Sequence, residues 1–405
     1  MIVSIQKAWN ILLATKLQTP SEKIPITEAA GRVASRPVTA ENDSPPFDMS
    51  RFDGFACGLP TNHAPKMFRI VHEQPITAGD GAARALSEGE AAFIMTGAPL
   101  PRGTRLIVPR EMCRVEGDSV MLLGLPDKER MILARGADFM KGETYLRGGE
   151  TINPLHVGYM ALDGRTEVDV HEIPSVSVLS IGNELEEVSK RFLGGAKIRN
   201  SHPALIQSLL RSHAMVVSGE HVDDDVTKIT RALLTKLHSG CGIVVTTGGL
   251  GQGVKDLTRE SIRATGASCL FEGIHAVPIG TFSCYQYGDK ILFALPGGMV
   301  GVLLLTKLFL EPFAKKVQGM RVSKTLGPFP RAFPASDDAG FLGFHEVEHG
   351  NAPPVKFVKA TLREENGVLR VFPLKNASLL EMNAFIVLNL ENYGNDTFPV
   401  FPLWS

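Results

Sequence analysis

Apolar runs alternate with amphipathic segments between residues 174 and 318, and this alternation constrains the fold more than any other feature of the chain. SVSVLSI (175–181) and GIVVTT (242–247) have the composition of buried β-strands. VTKITRALLTKLHSG (226–240) instead repeats its apolar residues at helical spacing. Strands that alternate with helices of this length predict a parallel, doubly wound sheet, in which ligands bind beyond the carboxyl ends of the strands.

The same pattern locates the other elements of this α/β region. Ser201 and Pro203 mark the start of a helix, because serine is a good N-cap and proline is tolerated in the first turn. Glu184 and the acidic run 223–225 directly follow predicted strands, so we expect them at the carboxyl edge of the sheet. The remaining predicted elements are the strands 215–222, 268–274 and 290–297 and the helices 204–214, 256–266 and 300–317.

The loop TTGGLGQGVKDLTRE (246–260) carries four glycines within six positions: Gly248, Gly249, Gly251 and Gly253. Without a Cβ, glycine allows backbone N–H groups to converge, and such a nest before a helix attracts phosphate or another oxyanion. Val254 stands where a P-loop requires lysine, so the loop is not a Walker A motif. Asp256 has two open interpretations, a helix N-cap or a magnesium ligand beside bound phosphate.

Composition and charge narrow the classes of function. A formal net charge of −1 lacks the basic footprint of a nucleic-acid-binding protein. Five scattered cysteines form no C-x-x-C pair, which argues against a zinc cluster and favours a cytoplasmic protein. The segment 1–17 predicts an amphipathic helix rather than a signal peptide. The apolar run 291–313 is long enough to span a membrane, but Pro296-Gly297-Gly298 interrupts it and predicts a strand, a turn and a core helix.

Composition shifts along the chain predict four domains. Residues 41–133 are rich in proline and glycine and indicate a β-rich insertion. Segments 1–40 and 134–173 flank that insertion, and we expect them to form one extended domain. Residues 174–323 form the α/β domain, and the short strand-like runs of 324–405 predict a small C-terminal β domain.

Five motifs along the chain occur in the order that is typical of one known family. The first, SPPFDMSRFDGFAC (44–57), is similar to the signature D-x-S-x-x-D-G-[FY]-A of the molybdopterin molybdenumtransferase family, which the whole set strongly resembles. FIMTGAPLPRGTRLIVPRE (93–111) resembles its I-M-T-G-A-P segment, and RGADFMKGETYLRGGETINP (135–154) its G-x-D-x-x-x-G-x-x-L segment. SVSVLSIGNELEE (175–187) and ALPGGMVG (294–301) resemble two further blocks in the family's order.

The resemblance implies a multidomain α/β fold with a C-terminal β-barrel, assembled as a homodimer, and it implies a reaction. Members of the family cleave the pyrophosphate bond of adenylylated molybdopterin with the help of Mg²⁺, insert molybdate (or tungstate) and release AMP. On this basis the predicted catalytic residues are Asp53, Asp138, Glu184 and Asp256, of which Glu184 and Asp256 hold the metal. The predicted substrate-binding residues are Thr96, Ser201, Asp224, Pro296, Gly297 and the four glycines of the loop. A molybdopterin adenylyltransferase and apo-molybdoenzymes are the implied partners.

Three departures from the family pattern concern the anion site. The family's K-P-G-K-P segment corresponds to HAVPIG (275–280), so two lysines are missing. L-P-G-N-P has become Leu295-Pro296-Gly297-Gly298-Met299. The loop GGLGQGVKDLT resembles that of competence-damage-inducible-protein-A N-terminal domains, relatives that act on nucleotide pyrophosphates. The candidates for replacing the missing positive charge are Lys255, Arg51, Arg199 and His275.

These departures leave two alternatives beside metal insertion. A diverged paralogue could cleave a nucleotide pyrophosphate such as ADP-ribose without handling molybdate. A non-catalytic protein could bind molybdopterin without turnover. All three hypotheses require the carboxylates to gather around one pocket at the end of the sheet.

Overall fold

The computed structural model describes residues 1–58, 67–72, 74–81, 84–124, 131–191, 193–211, 213–250, 256–324, 331–334, 355–365, 368–373, 382, 384–388 and 397–403. The chain divides into two compact units, Lys23–Val170 and Met1–Glu22 with His171–Ser405. Each unit is described by itself. The four domain boundaries predicted from composition stay a prediction.

The unit Lys23–Val170 is built mainly of short strands. Its strands are β1 Ser21–Pro25, β2 Val38–Thr39, β3 Met49–Ser50, β4 Gly54–Cys57, β5 Met67–Ile70, β6 Glu90–Ile94, β7 Leu106–Pro109, β8 Cys113–Glu116, β9 Ser119–Leu122, β10 Ile132–Leu133, β11 Thr144–Leu146 and β12 Glu167–His171. Six of them form one sheet in the order β7-β4-β6-β5-β9-β8. The sheet buries Phe55, Phe68 and Val108 on one side and Ile76 and Ile94 on the other.

A second cluster in this unit surrounds the helix Pro154–Leu162. Asn153 caps that helix and forms a capping box with His156, which satisfies the first backbone N–H groups. Strands β2 and β11 pair beside it. The cluster buries Val38, Leu146 and Met160. It therefore combines residues from the segments before and after the six-stranded sheet.

The second unit, Met1–Glu22 with His171–Ser405, contains both the α/β domain and the C-terminal strands. Its strands are β13 Ser175–Ile181, β14 Leu185–Glu186, β15 Ile198–Arg199, β16 Met215–Val222, β17 Ile243–Thr247, β18 Ser268–Glu272, β19 Ala276–Val277, β20 Ser283–Tyr287, β21 Lys290–Leu295, β22 Arg331–Pro334, β23 Val355–Glu365, β24 Val368–Pro373, β25 Ala384–Leu388 and β26 Thr397–Pro402. Its helices are Ile5–Ala14, His202–Leu210, Val226–Leu237, Leu257–Ala264, Met299–Leu305 and Glu311–Val317, the last two joined through the π-helical turn Thr306–Leu310.

The central sheet has the strand order β16-β13-β17-β21-β20-β18. The first four strands are parallel, as the sequence predicts, and the sheet is covered on both faces. The antiparallel strand β20 was not predicted. It is joined to β21 by a tight hairpin, and a connection that short can only be antiparallel.

Alternate residues of the central strands face opposite layers of helices. Val178, Val245 and Phe293 belong to one core cluster, which also holds the helices beginning at His202 and Met299. Leu179, Val244 and Leu292 belong to the other, with the helices Val226–Leu237 and Leu257–Ala264. This period-2 division is why near-continuous apolar runs form the strands of the sheet.

The segment 1–17 and the run 291–313, which resemble a signal peptide and a membrane span in their apolar content, have the structures predicted for a folded domain. The N-terminal segment forms the helix Ile5–Ala14, capped by Ser4, with Trp9 and Leu12 buried. The run 291–313 forms β21, a turn and the following helices. Among the described residues, no helix is both long and apolar enough to cross a membrane.

The C-terminal strands form a separate sheet in the order β19-β23-β25-β26-β22, with β24 paired to β23. Phe357, Phe385 and Val387 are buried in this sheet. Strand β19 belongs to the segment 275–280, so that segment is part of the C-terminal sheet. The predicted closure of this region into a β-barrel stays a prediction.

Candidate functional site

A pocket of about 490 Å³ lies at the carboxyl ends of the parallel strands. This volume lies within the usual range of small-molecule sites, and the position is where an open α/β sheet binds ligands. The pocket is lined by Ile181, Gly182, Glu184, Leu185, Ile198, Arg199, Ser201, His202, Asp224, Thr247, Gly248, Gly249, Leu250 and Gly297. Six of the predicted site residues are among them: Glu184, Ser201, Asp224, Gly248, Gly249 and Gly297.

Close packing explains why glycine follows β17. Gly248 has φ +94°, and a Cβ on it would lie 2.3 Å from the carbonyl oxygen of Ile181. Gly249 has φ +66°, and a Cβ there would lie 2.2 Å from Thr258 Oγ1. Thr258 also donates a hydrogen bond of 3.0 Å to the Gly248 carbonyl. The turn therefore requires glycine for both its backbone conformation and the space that it leaves.

The backbone amides of this turn have different roles. The Gly248 N–H donates to the Leu295 carbonyl at 3.1 Å and so extends the β17–β21 pairing. The N–H groups of Gly249 and Leu250 have no acceptor within the described part of the chain. These two amides are therefore available to an anion. Gly251 and Gly253, which were also predicted to bind substrate, lie outside the described residues.

The three aspartates of the run 223–225, after β16, have different roles. Asp225 caps the helix Val226–Leu237 by accepting from the Lys228 N–H at 2.8 Å. Asp223 forms an ion pair with the Lys228 ammonium group. Asp224 lines the pocket, where its carboxylate accepts from the Asn183 N–H at 3.2 Å and its own N–H donates to Asn183 Oδ1 at 3.1 Å. This reciprocal pair ties the ends of β13 and β16 together.

Glu184 lies next to that pair and is exposed. Within the described ranges, no group donates a hydrogen bond to its carboxylate and no cation forms an ion pair with it. The pocket therefore holds an acidic group whose oxygens are open to a ligand or a metal ion. Its position results from the sharp turn Gly182-Asn183 at the end of β13, where a Cβ on Gly182 would lie 2.5 Å from the Glu184 carboxylate.

Arg199 is the one candidate replacement cation among the residues that line this pocket. Its Nη2 donates to the carbonyl of Lys190 at 3.0 Å, which holds the guanidinium in place and leaves other N–H groups for a ligand. His275 belongs to the segment 275–280, where its backbone binds Val3 and Val355. Arg51 belongs to the other unit, and Lys255 lies outside the described residues.

A polar chain that the sequence did not predict ends in the pocket. His202 Nδ1 lies 3.0 Å from Thr247 Oγ1, which donates to Ser180 Oγ at 3.2 Å. Ser180 and Thr247 are fully buried at the ends of neighbouring strands, and His202 is half-buried. Burial lowers the pKa of His202, and the nearby Glu184 partly opposes this effect. The sequence did contain one signal for this chain, because the polar residue Thr247 ends a strand that is otherwise apolar and buried.

Ser201 occupies the N-cap position of the helix His202–Leu210, but its side chain makes no capping hydrogen bond. Its hydroxyl is therefore available in the pocket that it lines. Pro296 is not among the residues that line this pocket. It packs against Gly301, where a Cβ would lie 2.8 Å from Pro296 Cγ.

Asp256 lies in a separate depression with Arg259, Glu260, Arg263 and Glu272. Its Oδ1 accepts from the Arg259 N–H at 3.1 Å and caps the helix Leu257–Ala264. Its Oδ2 accepts from the Arg259 guanidinium at 2.5 Å. Both carboxylate oxygens thus have partners, and the capping interpretation of Asp256 has its hydrogen bond. Metal binding by Asp256 stays a prediction.

The strand register of the other unit brings Asp53 to Thr96. Gly54 pairs with Ile94 in the antiparallel β4–β6 ladder, so the residues beyond the two strand ends meet. Asp53 Oδ1 accepts from both the N–H and the hydroxyl of Thr96 at 2.8 Å. These two hydrogen bonds, the backbone one first, lower the pKa of Asp53. A Cβ on Gly54 would lie 2.1 Å from the Val108 carbonyl oxygen, which explains the glycine of this motif.

Asp138 is also in this unit. Its Oδ2 accepts from the Ser44 hydroxyl at 3.0 Å, and its N–H donates to the Ser44 carbonyl at 2.8 Å. Asp53 and Asp138 therefore belong to one unit, and Glu184, Asp224 and Asp256 to the other. The gathering of all five carboxylates around one pocket stays a prediction.

The described side chains fit a magnesium ion that is bound together with a phosphate group. No group of three His, Cys, Asp or Glu residues in the described part of the chain could hold a metal alone. Magnesium does not need such a cage, because it binds one or two carboxylates and completes its shell with phosphate oxygens and water. Glu184 and Asp224, which line one pocket, meet that requirement.

Comparison with known proteins agrees with this architecture. Residues 3–164 match the family model of the MoeA N-terminal region (domain I and II), and residues 177–316 match that of a probable molybdopterin binding domain. The molybdopterin molybdenumtransferase of Staphylococcus aureus strain Mu50 is 28% identical over 322 residues, which cover 78% of this chain and 76% of the relative. That of Staphylococcus epidermidis strain RP62A is 28% identical over 324 residues, covering 79% and 77%.

Solved structures share the fold over nearly the whole chain. The molybdopterin biosynthesis MoeA protein of Pyrococcus horikoshii OT3 has a TM-score of 0.77 and 26% identity, covering 99% of both chains. Fold and site together define a multidomain α/β protein with a molybdopterin-binding domain. More narrowly, the chain belongs to the molybdopterin molybdenumtransferase family and is a transferase of molybdenum cofactor biosynthesis.

Proposed function

We propose that this protein catalyses the Mg²⁺-dependent insertion of molybdate (or tungstate) into adenylylated molybdopterin, with cleavage of the pyrophosphate bond and release of AMP. The support is family membership together with a pocket at the carboxyl ends of β13, β16, β17 and β21 that holds acidic, basic and backbone donor groups. Molybdate is a substrate of this reaction, and Mg²⁺ is the bound ion.

The charge balance of the pocket is the observation that carries the proposal. Glu184 and Asp224 bring two negative charges, and Arg199 brings one positive charge. A pyrophosphate adds further negative charge, so the pocket can hold it only together with a cation. We assign that cation to Glu184 and Asp224, where Mg²⁺ would neutralise charge on the attacking and leaving oxygens.

The other polar groups of the pocket then have defined tasks. The N–H groups of Gly249 and Leu250 bind phosphate oxygens as neutral donors. Arg199 supplies charge-assisted hydrogen bonds, which are roughly twice as strong as neutral ones. The Ser201 hydroxyl binds the substrate beside them. In this proposal Asp256 joins the metal only if it releases Arg259.

Asp53, Asp138 and Thr96 complete the proposal as residues of the other unit. Because Thr96 stabilises the ionised form of Asp53, this carboxylate is negative throughout the neutral range. We propose that the active protein is a homodimer. A molybdopterin adenylyltransferase would supply the substrate, and an apo-molybdoenzyme would receive the product.

The test is direct reconstitution. The purified protein receives adenylylated molybdopterin, MgCl₂ and molybdate, and released AMP is quantified by chromatography. In parallel, the product is offered to an apo-molybdoenzyme whose activity reports active cofactor. The proposal expects both signals and their loss with EDTA, and absence of both with Mg²⁺ present would refute it.

A second function is favoured by one specific observation. The segment 275–280 replaces the family's lysine segment and contributes β19 to the C-terminal sheet, and no lysine lines the described pocket. A site without those cations could retain pyrophosphate cleavage and lose molybdate handling. The protein would then be a nucleotide pyrophosphatase acting on ADP-ribose or a related compound.

Molybdate dependence separates the two functions. ADP-ribose and adenylylated molybdopterin are each incubated with protein and Mg²⁺, with and without molybdate. Turnover of ADP-ribose that is unaffected by molybdate, without formation of active cofactor, would identify the pyrophosphatase. Formation of active cofactor only when molybdate is present would identify the transferase.

A further inference from the structure

His202 is a half-buried histidine of the pocket to which the proposed function assigns no role. It is the first residue of the helix His202–Leu210, and its ring contacts the end of β17. No sequence motif singled it out. The question is which of its two ring nitrogens is left for a ligand, and in which protonation state.

The hydrogen-bond chain answers that question. Thr247 has one hydroxyl proton, and it donates that proton to Ser180 Oγ at 3.2 Å. With that proton committed to Ser180, Thr247 Oγ1 acts as the acceptor for His202, and we infer that Nδ1, at 3.0 Å, carries the ring proton. In a neutral ring, Nε2 then has a free lone pair. Nε2 has no hydrogen-bond partner among the described residues, and His202 lines the pocket.

The half-buried position of the ring disfavours its charged form. Burial lowers the pKa of His202, and the Glu184 carboxylate opposes this only in part. The other charged groups on the pocket wall are Arg199 and Asp224. His202 therefore does not replace the positive charge of the missing lysines. It brings a proton acceptor into a site whose other described groups are carboxylates, a guanidinium, a hydroxyl and backbone amides.

We propose that His202 is a further catalytic residue of this chain, the general base whose Nε2 takes a proton from the water that attacks the pyrophosphate. Thr247 is the positioning residue that holds the ring in the required tautomer. This inference rests on the proposed function, since it requires that water is the nucleophile in the pocket.

The step balances as an in-line hydrolysis. The water oxygen forms a bond to one phosphorus, and one of its protons moves to Nε2. The bond from that phosphorus to the bridging oxygen breaks, and the bridging oxygen leaves on the other phosphate. The products are AMP, the phosphorylated pterin and an imidazolium, which returns its proton to solvent. No oxidant, reductant or further reactant is needed.

The decisive variant is His202→Asn. The asparagine amide can still donate to Thr247 from a position close to that of Nδ1, but it lacks a group corresponding to Nε2. AMP release is measured at saturating Mg²⁺ from pH 5 to 9. We expect kcat to fall by about 10²-fold or more, which is typical for loss of a general base, with KM little changed. The ascending limb of the pH–rate profile is expected to disappear.

His238→Asn is the matched control, because this histidine contacts Tyr287 at 3.1 Å and does not line the pocket. It is expected to keep the wild-type rate. If His202→Asn releases AMP as fast as the wild type, or keeps the ascending limb, the general base is another group and the proposal is overturned. A wild type that releases no AMP overturns the proposed function as well, so the two failures are distinguishable.

A second measurement does not depend on turnover. Two-dimensional ¹H–¹⁵N spectra of ¹⁵N-histidine-labelled protein report which ring nitrogen is protonated. We expect the Nδ1–H tautomer for His202, and a mixture of tautomers in Thr247→Val, in which the accepting hydroxyl is absent. An Nε2–H tautomer in the wild type would overturn the proposal, because that nitrogen could not then accept the proton.

Discussion

At the carboxyl ends of the parallel strands, Glu184 lines an open pocket, whereas Asp256 lies in a separate depression beside Arg259. Both residues were predicted from the sequence to hold the same metal ion. Asp256 has a hydrogen-bond partner on each oxygen, the backbone N–H and the guanidinium of Arg259. Glu184 has no partner on either oxygen among the described residues. The two carboxylates therefore differ in what they can still bind.

The neighbours of an acidic residue decide which of its carboxylate oxygens remain free to bind. A carboxylate that accepts from a helix N-terminus and an arginine is stabilised as a structural anion. A carboxylate that accepts no hydrogen bond from the described residues, as at Glu184, keeps both oxygens available for a bound cation. Asp53 is an intermediate case, because only Oδ1 accepts from Thr96. Four experiments test this ranking.

Glu184→Gln should have the largest effect. It removes the open negative charge, and we expect kcat for AMP release to fall by at least about 10²-fold, the usual scale for losing an electrostatic group at a reacting centre. The required Mg²⁺ concentration should rise. Because Glu184 is exposed and lacks described partners, the free energy of unfolding should stay near the wild-type value. Glu187→Gln, outside the lining of this pocket, is the control, and an equal effect of both variants would contradict the assignment.

Gly249→Ala tests the turn that connects the two acidic sites. Its added Cβ would lie 2.2 Å from Thr258 Oγ1 at φ +66°, so strain and overlap add together. Gly266→Ala is the matched control, since Gly266 has φ +83° but open space around it. The control should lose about 1–2 kcal/mol of unfolding free energy from the left-handed backbone alone. Gly249→Ala should lose a further 1–3 kcal/mol, about the cost of overpacking, as measured by urea denaturation. Equal losses would mean that Thr258 moves aside freely.

Asp256→Asn should have a smaller effect on turnover. Asparagine caps a helix about as well as aspartate, so the variant loses mainly the ion pair with Arg259. The two side chains are 24% and 20% exposed, and we expect a stability loss of up to about 1 kcal/mol. Turnover should stay within a few-fold of the wild type. A collapse of turnover equal to that of Glu184→Gln would show that Asp256 does hold the metal.

Thr96→Val should have the smallest effect, on the pKa of Asp53. The variant removes the hydroxyl but keeps the backbone N–H, which is the larger cause of the lowered pKa, so the pKa should rise only part of the way. Carboxyl ¹³C titration measures it directly, and Thr96→Ser, which retains the hydroxyl, is the control. Because the folded-state pKa is lowered, this contribution to stability is complete above the unfolded pKa. It is lost as the pH falls below about 4. An unchanged pKa in Thr96→Val would assign the shift to the backbone alone.

Local pattern was sufficient for much of the α/β domain. The strands β13, β16, β17, β18 and β21, the helix that begins after Ser201 and the N-terminal helix followed from periodicity and helix-start signals. β20 was missed because Ser283-Cys284-Tyr285 carries polar and apolar residues without a clear period, and its burial is a property of the sheet. The candidate site was predicted where residues directly follow a strand, as Glu184, Asp224 and Gly248 do.

Residue types and their spacing predicted the family, the order of most strands and helices, and the edge of the sheet at which the candidate pocket lies. Which acidic groups remain open at that edge depends on contacts between distant segments, and no spacing reveals those contacts. The Arg259 guanidinium donates to Asp256, and the Asn183 N–H donates to the Asp224 carboxylate, which follows a neighbouring strand. The contact between Thr247 and His202 likewise exists only because the end of a parallel strand lies beside the start of a helix from another crossover. Hydrogen bonds between distant segments depend on ångström-scale positions, whereas the burial of most strands and helices follows from residue type and period.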